Sequence, residues 1–492
     1  MKMFSIAALL LGFLSSGFYV QAADSAACGD TCGEDCEGCG ACACLGDTCQ
    51  AIDWLKGNQS LFEGLSGTNS HGWNYSVGAE LRHRYMDESN RFRPPGPAES
   101  DYQLWRFTPF LKVGYDDLVE VYAQGIDSSA FGYDPPLFPL GIDVNRSDLL
   151  RAYVGVKLAD IEGGGSLKYR YGRQFLKYGS QHLLSPLGWS NTYRNFEGHK
   201  LMYSADDWNI EGFHMHSVNA AAGAPLRPVT FDYRDSSRTV TGIYSTYKGM
   251  QNRTLDLYWL WSREDARRAD RAGRMDGNRH TIGARYAGSR AVKECCETVG
   301  TWKWDVEGAW QFGTDDVMGG IDQNVNAGFL SALAGYTFNS AKWSPTINGI
   351  FYWGSGDSDP TDGEINTFYS LYPLGHAYWG LIDNFSGQNL LDFGVSGTVK
   401  PTEKLTLLAA WHAFRAANPA DSMYNIAGAP FPMAVGESDL GTEVDLVGTY
   451  AVSKNVNVQL GYFWFFYGDA VNNSAFARPD ASQFYVQTTL TF

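Results

Sequence analysis

Seven cysteines crowd into residues 28–49: Cys28, Cys32, Cys36, Cys39, Cys42, Cys44 and Cys49. Cys-x-x-Cys spacing suits a thiolate metal site in a reducing compartment and a disulfide framework in an oxidising one. Asp357, Asp359 and Asp362 ahead of Gly363 form a pattern one residue longer than the start of a calcium loop. Two readings stand there, oxygen ligands for calcium or a solvated turn. His214 and His216 alternate onto one face, but no carboxylate stands in register to complete a metal site. For acyl-transfer chemistry the nearest candidates are Ser180 and His182. The chain carries no Gly-x-Ser-x-Gly elbow, no His-Glu-x-x-His and no phosphate-binding loop, so no enzyme is expected.

Compartment decides between the cysteine readings. Lys2, the apolar run from Ile6 to Leu14 and the small-residue site Val20-Gln21-Ala22 read as a secretory signal over residues 1–22. A lipid anchor at Cys28 is disfavoured because Ser25 stands where a lipobox has Leu. In an exported chain the segment 23–49 is expected to hold disulfides rather than metal. Seven is odd and leaves one thiol for an intermolecular bond. Cys295 and Cys296 are adjacent, neighbours rarely bridge each other, and their pairing stays open. Residues 50–70 read as a linker.

From residue 71 onward the elements are strands. Trp73, Tyr75, Val77, Ala79 and Leu81 share one face, and Asn74, Ser76, Glu80, Arg82 and Arg84 the other. The same parity recurs at Leu255–Trp261, Trp302–Phe312, Leu405–Trp411 and Val456–Phe466. It closes the chain, where Phe484, Val486, Leu490 and Phe492 alternate with Gln483, Gln487, Thr489 and Thr491. No run reaches the roughly 18 apolar residues of a spanning helix. Strands that put lipid on one face and water on the other predict an all-β fold, a transmembrane antiparallel up-and-down barrel of about 18 strands over residues 71–492. The 28 Tyr, 28 Phe and 15 Trp suit aromatic girdles at two interfaces. A mean hydropathy of -0.27 fits strands of which every second residue faces water. The long, Gly/Pro/Asp/Ser-rich stretches 354–388 and 416–438 are expected outside the cell, and the short joins at Lys400-Pro401-Thr402 and Val452-Ser453-Lys454 on the periplasmic side.

By the same parity the lumen side holds Arg82, Arg84, Arg106, Lys112, Arg151, Lys157, Lys168, Arg170, Lys200 and Arg285. The net charge of -16 does not oppose this. Residues 23–55, 354–388 and 416–439 carry fifteen acids and no base, all outside the expected wall. Fixed cations in a narrow lumen lower the cost of passing carboxylates, the chemistry of an anion path. The bland reading is that these cations pair with Glu80, Glu120, Glu211 and Glu307 and brace the wall.

The segment Tyr171-Gly172-Arg173-Gln174, with Tyr178-Gly179-Ser180-Gln181 and then Trp189, Asn191, Arg194, Phe196 and Gly198, resembles the alginate export family. The resemblance returns at Ser355-Gly356-Asp357-Ser358-Asp359-Pro360-Thr361-Asp362-Gly363 and at Leu374-Gly375-His376-Ala377-Tyr378, and it excludes the cysteine segment. It implies an outer-membrane channel that passes an anionic polysaccharide or other anionic solute through an Arg/Lys-lined lumen, in export, with a periplasmic export apparatus as partner. The alternatives are a general diffusion porin, or a structural envelope anchor organised by the cysteines. Outer-membrane lipid is the expected surrounding, nucleic acid is not a partner, and calcium in the external loop is the one cofactor expectation.

Overall fold

The computed structural model describes residues 65–69, 71–219, 231–265, 277–317, 321–359 and 361–492. The expected signal sequence, the seven-cysteine segment and most of the linker lie outside the described residues.

Eighteen antiparallel strands close into one ring. They begin with Trp73–Ser89, Glu99–Tyr115, Val119–Phe131, Asn145–Ile161, Gly165–Gln174 and Phe196–Ser204. Trp208–Asn219, Tyr233–Tyr247, Arg253–Glu264, Gly277–Glu294, Glu297–Val317 and Ile321–Thr337 follow. Thr346–Gly354, Leu390–Val399, Leu405–Ala416, Asp439–Ser453, Val456–Tyr467 and Ala481–Thr491 complete it. Each pairs with its neighbours in sequence, and the first pairs with the last, with Arg84 opposite Gln487. Backbone bonds between Ala79 and Phe492 run both ways across that seam. A closed ring leaves no strand edge, the condition for spanning lipid without unpaired amides. Among the described residues the helices are a four-residue α-turn at Asp469–Asn472 and a 3-10 turn at Gly375–Ala377.

Alternation sets which face is which. Trp73, Tyr75, Val77, Trp302, Trp310, Leu407, Trp411, Leu460 and Phe466 are exposed on the outside, whereas Glu80, Arg82, Arg84, Glu307, Gln483 and Gln487 are buried within. Short connections lie at one rim. At Glu294–Glu297 the central Cys295 and Cys296 have φ of 46° and 71°, the left-handed pair that a two-residue hairpin turn requires, and both cysteines are exposed. Long connections lie at the opposite rim.

One expectation is corrected here. Residues 354–388 do not simply stand outside: they turn back into the ring. Phe368, Leu371, Leu374, Trp379, Leu381, Ile382 and Phe385 are buried, against inward-facing Tyr352, Phe414, Phe463 and Phe465. Burying that apolar surface favours the inward course, although Gly, Asp and Ser dominate the segment's appearance. Residues 416–438 likewise hold a small hairpin, Met423–Tyr424 with Pro430–Phe431, whose first strand is buried.

Candidate functional site

Two loops cross the lumen and grip each other. Residues 175–195 and 355–389 exchange backbone bonds, from Ser185 N to Tyr372 O (2.9 Å), Tyr372 N to Leu183 O (2.9 Å) and Leu374 N to Gln181 O (3.0 Å). The Tyr378 hydroxyl donates to Ser180 O. Trp189 stacks on His376 with ring centroids 3.6 Å apart and planes 7° apart, and Asp383 Oδ2 accepts from both Trp189 Nε1 (2.9 Å) and His376 Nδ1 (3.0 Å). Gln181, Leu187, Leu371, Asp383 and Asn389 all have φ between 49° and 64°, sparsely populated backbone that the surrounding contacts hold in place. Burial pushes the His376 imidazole below its ordinary range, only partly offset by Asp383.

The wall holds the first loop from both sides. Arg82 donates to Gly188 O (3.1 Å), Trp189 O (3.2 Å), Ser190 O (2.6 Å) and Asn191 Oδ1 (3.3 Å). Arg106 reaches Gly188 O (3.0 Å) and Ser190 O (2.8 Å) and pairs with Glu80 (2.7 Å). Arg84 lies 3.5 Å above the Trp189 ring and donates to Gln487 Oε1 (2.7 Å). Across the ring His182 Nδ1 meets Glu307 Oε2 (2.7 Å), the Tyr258 hydroxyl donates to Glu307 Oε1 (3.0 Å), and Ser180 Oγ donates to Asp305 (2.5 Å). Arg285 binds Asp305 (2.8 Å) and Asp256 (3.0 Å). Ser180 and His182 are therefore committed to two different carboxylates rather than to each other.

All ten cations singled out in the sequence lie on the inner face of the ring, in two tiers. Arg82, Arg84, Arg106 and Arg285 form the upper tier, locked to the loops. Arg82, Arg84 and Arg106 are 2–3% exposed rather than hydrated, because loop carbonyls have replaced water. Below them, the second, fourth, fifth and sixth strands of the ring carry a second tier. Lys112 and Arg170 share Glu120 (2.8 and 2.9 Å), and Arg170 lies 4.1 Å over Tyr153. Arg151 donates to Gln124 (2.7 Å) and the Tyr122 hydroxyl (2.6 Å), with its guanidinium over Tyr122 and Phe175. Lys200 pairs with Glu211 (3.1 Å) over Tyr178. Lys157 meets Asp117 (2.9 Å) and Asp160 at the rim. The four acids named as braces, Glu80, Glu120, Glu211 and Glu307, all have partners.

The register places Arg or Lys opposite Arg or Lys three times: Arg82 with Arg106, Lys157 with Lys168, and Arg170 with Lys200. Directly opposed like charges weaken a strand pair. Loop carbonyls repay the first. At the other two, Asp117, Asp160, Glu120 and Glu211 offset part of the repulsion.

Sequence reasoning did not anticipate the lumen crossing. The signal lay in Phe463 and Phe465, which fall on the inward parity of their strand and are fully buried. Aspartates 357, 359 and 362 each cap their own turn, accepting from Asp359 N (3.0 Å), Thr361 N (3.1 Å) and Glu364 N (2.8 Å). His214 is exposed and bonds Thr241 Oγ1 (2.7 Å). Among the described residues no group of three His, Cys, Asp or Glu is arranged to hold a metal.

A closed ring of eighteen strands, apolar outside and charged within, defines an outer-membrane β-barrel, and a polar lumen crossed by loops makes it a channel of that membrane. In solved structures the chain is similar to OccAB2 of Acinetobacter baumannii, with TM-score 0.56 and 11% identity over 85% of this chain and 98% of that one. It is similar too to OprD of Pseudomonas aeruginosa (TM-score 0.54, 12% identity, 88% and 99% covered) and to OccK5 (OpdH) of the same organism (0.51, 14%, 85% and 98%). The chain belongs to the alginate export family, whose model matches residues 74–482. None of the curated proteins matches the chain.

Proposed function

We propose that this outer-membrane channel is a conduit for anionic solutes, acidic polysaccharide foremost, in the outward direction. The observation that carries the reading is that Lys157 stands opposite Lys168 and Arg170 opposite Lys200 in the register of the inner wall. Such cations are retained against their mutual repulsion where a passing anion binds them in turn. Tyr122 and Tyr153 stack at 5.1 Å beside Arg151 and Arg170, so the wall offers flat apolar faces next to cations, the combination that suits a ring bearing a carboxylate. The outward direction, and a periplasmic apparatus delivering the polymer, rest on membership of the alginate export family. Calcium at Asp357, Asp359 and Asp362 would serve the external loop rather than the conduit.

Reversal potentials in a salt gradient test the reading. The wild type should favour anions, less so at high salt because screening shortens the reach of fixed charge. Changing Arg170 and Lys168 together to Glu should move the reversal potential toward cations and weaken block by uronic-acid oligomers. A cation-selective wild type, or a reversal potential unmoved by the double change, would leave a general diffusion porin as the account. Absence of conductance would leave the envelope anchor.

A further inference from the structure

The second loop rests on two carboxyl groups that pair with no Lys or Arg among the described residues. Glu443 and Asp445 stand two residues apart on one strand, so both point inward, and both are fully buried. Glu443 Oε1 accepts from Ile382 N (2.8 Å). Glu443 Oε2 and both oxygens of Asp445 lack a well-formed hydrogen bond among the described residues, Asp445 having only the Leu381 amide nearby. The two carboxyls do lie within hydrogen-bond reach of one another. Two buried carboxylates side by side are costly, whereas a proton carried by one supplies the donor the other lacks.

Most surrounding groups are committed elsewhere, although His412, when charged, also attracts Asp445. His412 Nδ1 binds Asp392 (2.8 Å), Asp383 serves His376 and Trp189, and Arg91 binds Glu88 (2.6 Å) and Ile382 O (2.8 Å). The Tyr467 hydroxyl donates to Asn90 O (2.9 Å), and Tyr485 lies beneath Arg84. Gly380 makes the fit so close that a Cβ there would sit 2.2 Å from Glu443 Oε2.

We propose that Glu443 and Asp445 share one proton and that this proton latches residues 379–389 inside the barrel, so that its loss frees the segment and raises conductance. The device rests on the protein being a channel and is independent of the charge of the solute. Without the proton, two like charges face each other and the backbone of Gly380 across a buried contact, and moving the segment outward exposes both to water.

Planar-bilayer conductance from about pH 6.5 to about pH 9 tests this. Wild-type conductance should rise several-fold across the range, and chymotrypsin should begin to cut near Trp379 and Phe385 at its upper end. E443Q carries the single negative charge and the donor of the latched pair, so it should hold the low-pH conductance throughout. D445N, which matches it in charge and donor, provides the second variant, with heat-modifiable migration showing that each has folded. A flat wild-type profile, or variants that follow the wild-type curve, would overturn the latch. Reversal potentials in the same traces report anion preference separately, so failure of either idea is read without the other.

Discussion

Arg82 and Arg106 stand directly opposite each other on the first two strands, and both donate to the carbonyl oxygens of Gly188 and Ser190. Two guanidinium groups so placed would repel in an empty lumen. Here they clamp one turn of the loop, with Glu80 adding a carboxylate behind Arg106.

Truncating Arg106 to Ala should therefore act on stability before selectivity. It leaves Glu80, 1% exposed, without its ion pair, a cost of about 3–5 kcal/mol for a broken buried pair. The expected result is a lower temperature for loss of heat-modifiable migration, with noisier and larger channel currents. Unchanged migration and unchanged currents would mean that the clamp holds nothing.

The Arg84–Trp189 contact should show as coupling. A double-mutant cycle with R84M and W189L should give an interaction of about 1–2 kcal/mol, the range for a desolvated cation over an indole. A cycle that closes to zero would assign the 3.5 Å stack no energetic role.

Acid should loosen the loops through His376. Its imidazole is pushed below the ordinary value by burial, so in the acid range the unfolded loop binds more protons than the folded one. Stability from this group is complete above about pH 6.5, the unfolded value, and is lost as pH falls through the lower folded value. Protease sensitivity of residues 355–389 should rise below about pH 6, and H376Q should remove that rise. A wild-type loop equally resistant at both pH values would exclude His376 as the sensor.

G380A offers a purely steric probe. Gly380 has φ of +82°, where an L side chain costs about 1–2 kcal/mol, and the added carbon would collide with Glu443. The second loop should unseat at every pH, giving raised and pH-independent conductance. Wild-type currents from this variant would show that the close approach is dispensable.

The ring was legible from the chain because its rule is local: every second residue is apolar, as at Trp73, Tyr75 and Val77, and the charged partners follow by parity. The crossing was not, because it depends on pairs far apart in sequence. Trp189 finds His376 and Arg84, and Ser180 finds Asp305, through geometry that no spacing encodes. The inward cations were readable as inward, but whether each meets water or a loop carbonyl depends on where residues 175–195 settle. Phe463, Phe465 and Tyr467, following Gln459 and Gly461 on one face, were the local trace of that packing.

The seam between the first and last strands has a bearing on how the protein is made. Arg84 and Gln487 are 403 residues apart, whereas the other ring strands pair with neighbours close in sequence. Local hairpins form cheaply, but this one closure joins the ends of the whole sheet. Until Ala481–Thr491 arrives, the sheet has two open edges, each able to template pairing with another chain. The nascent protein is thus most prone to aggregate just before its final eleven-residue strand docks, and removing that strand should convert a stable ring into an aggregating ribbon.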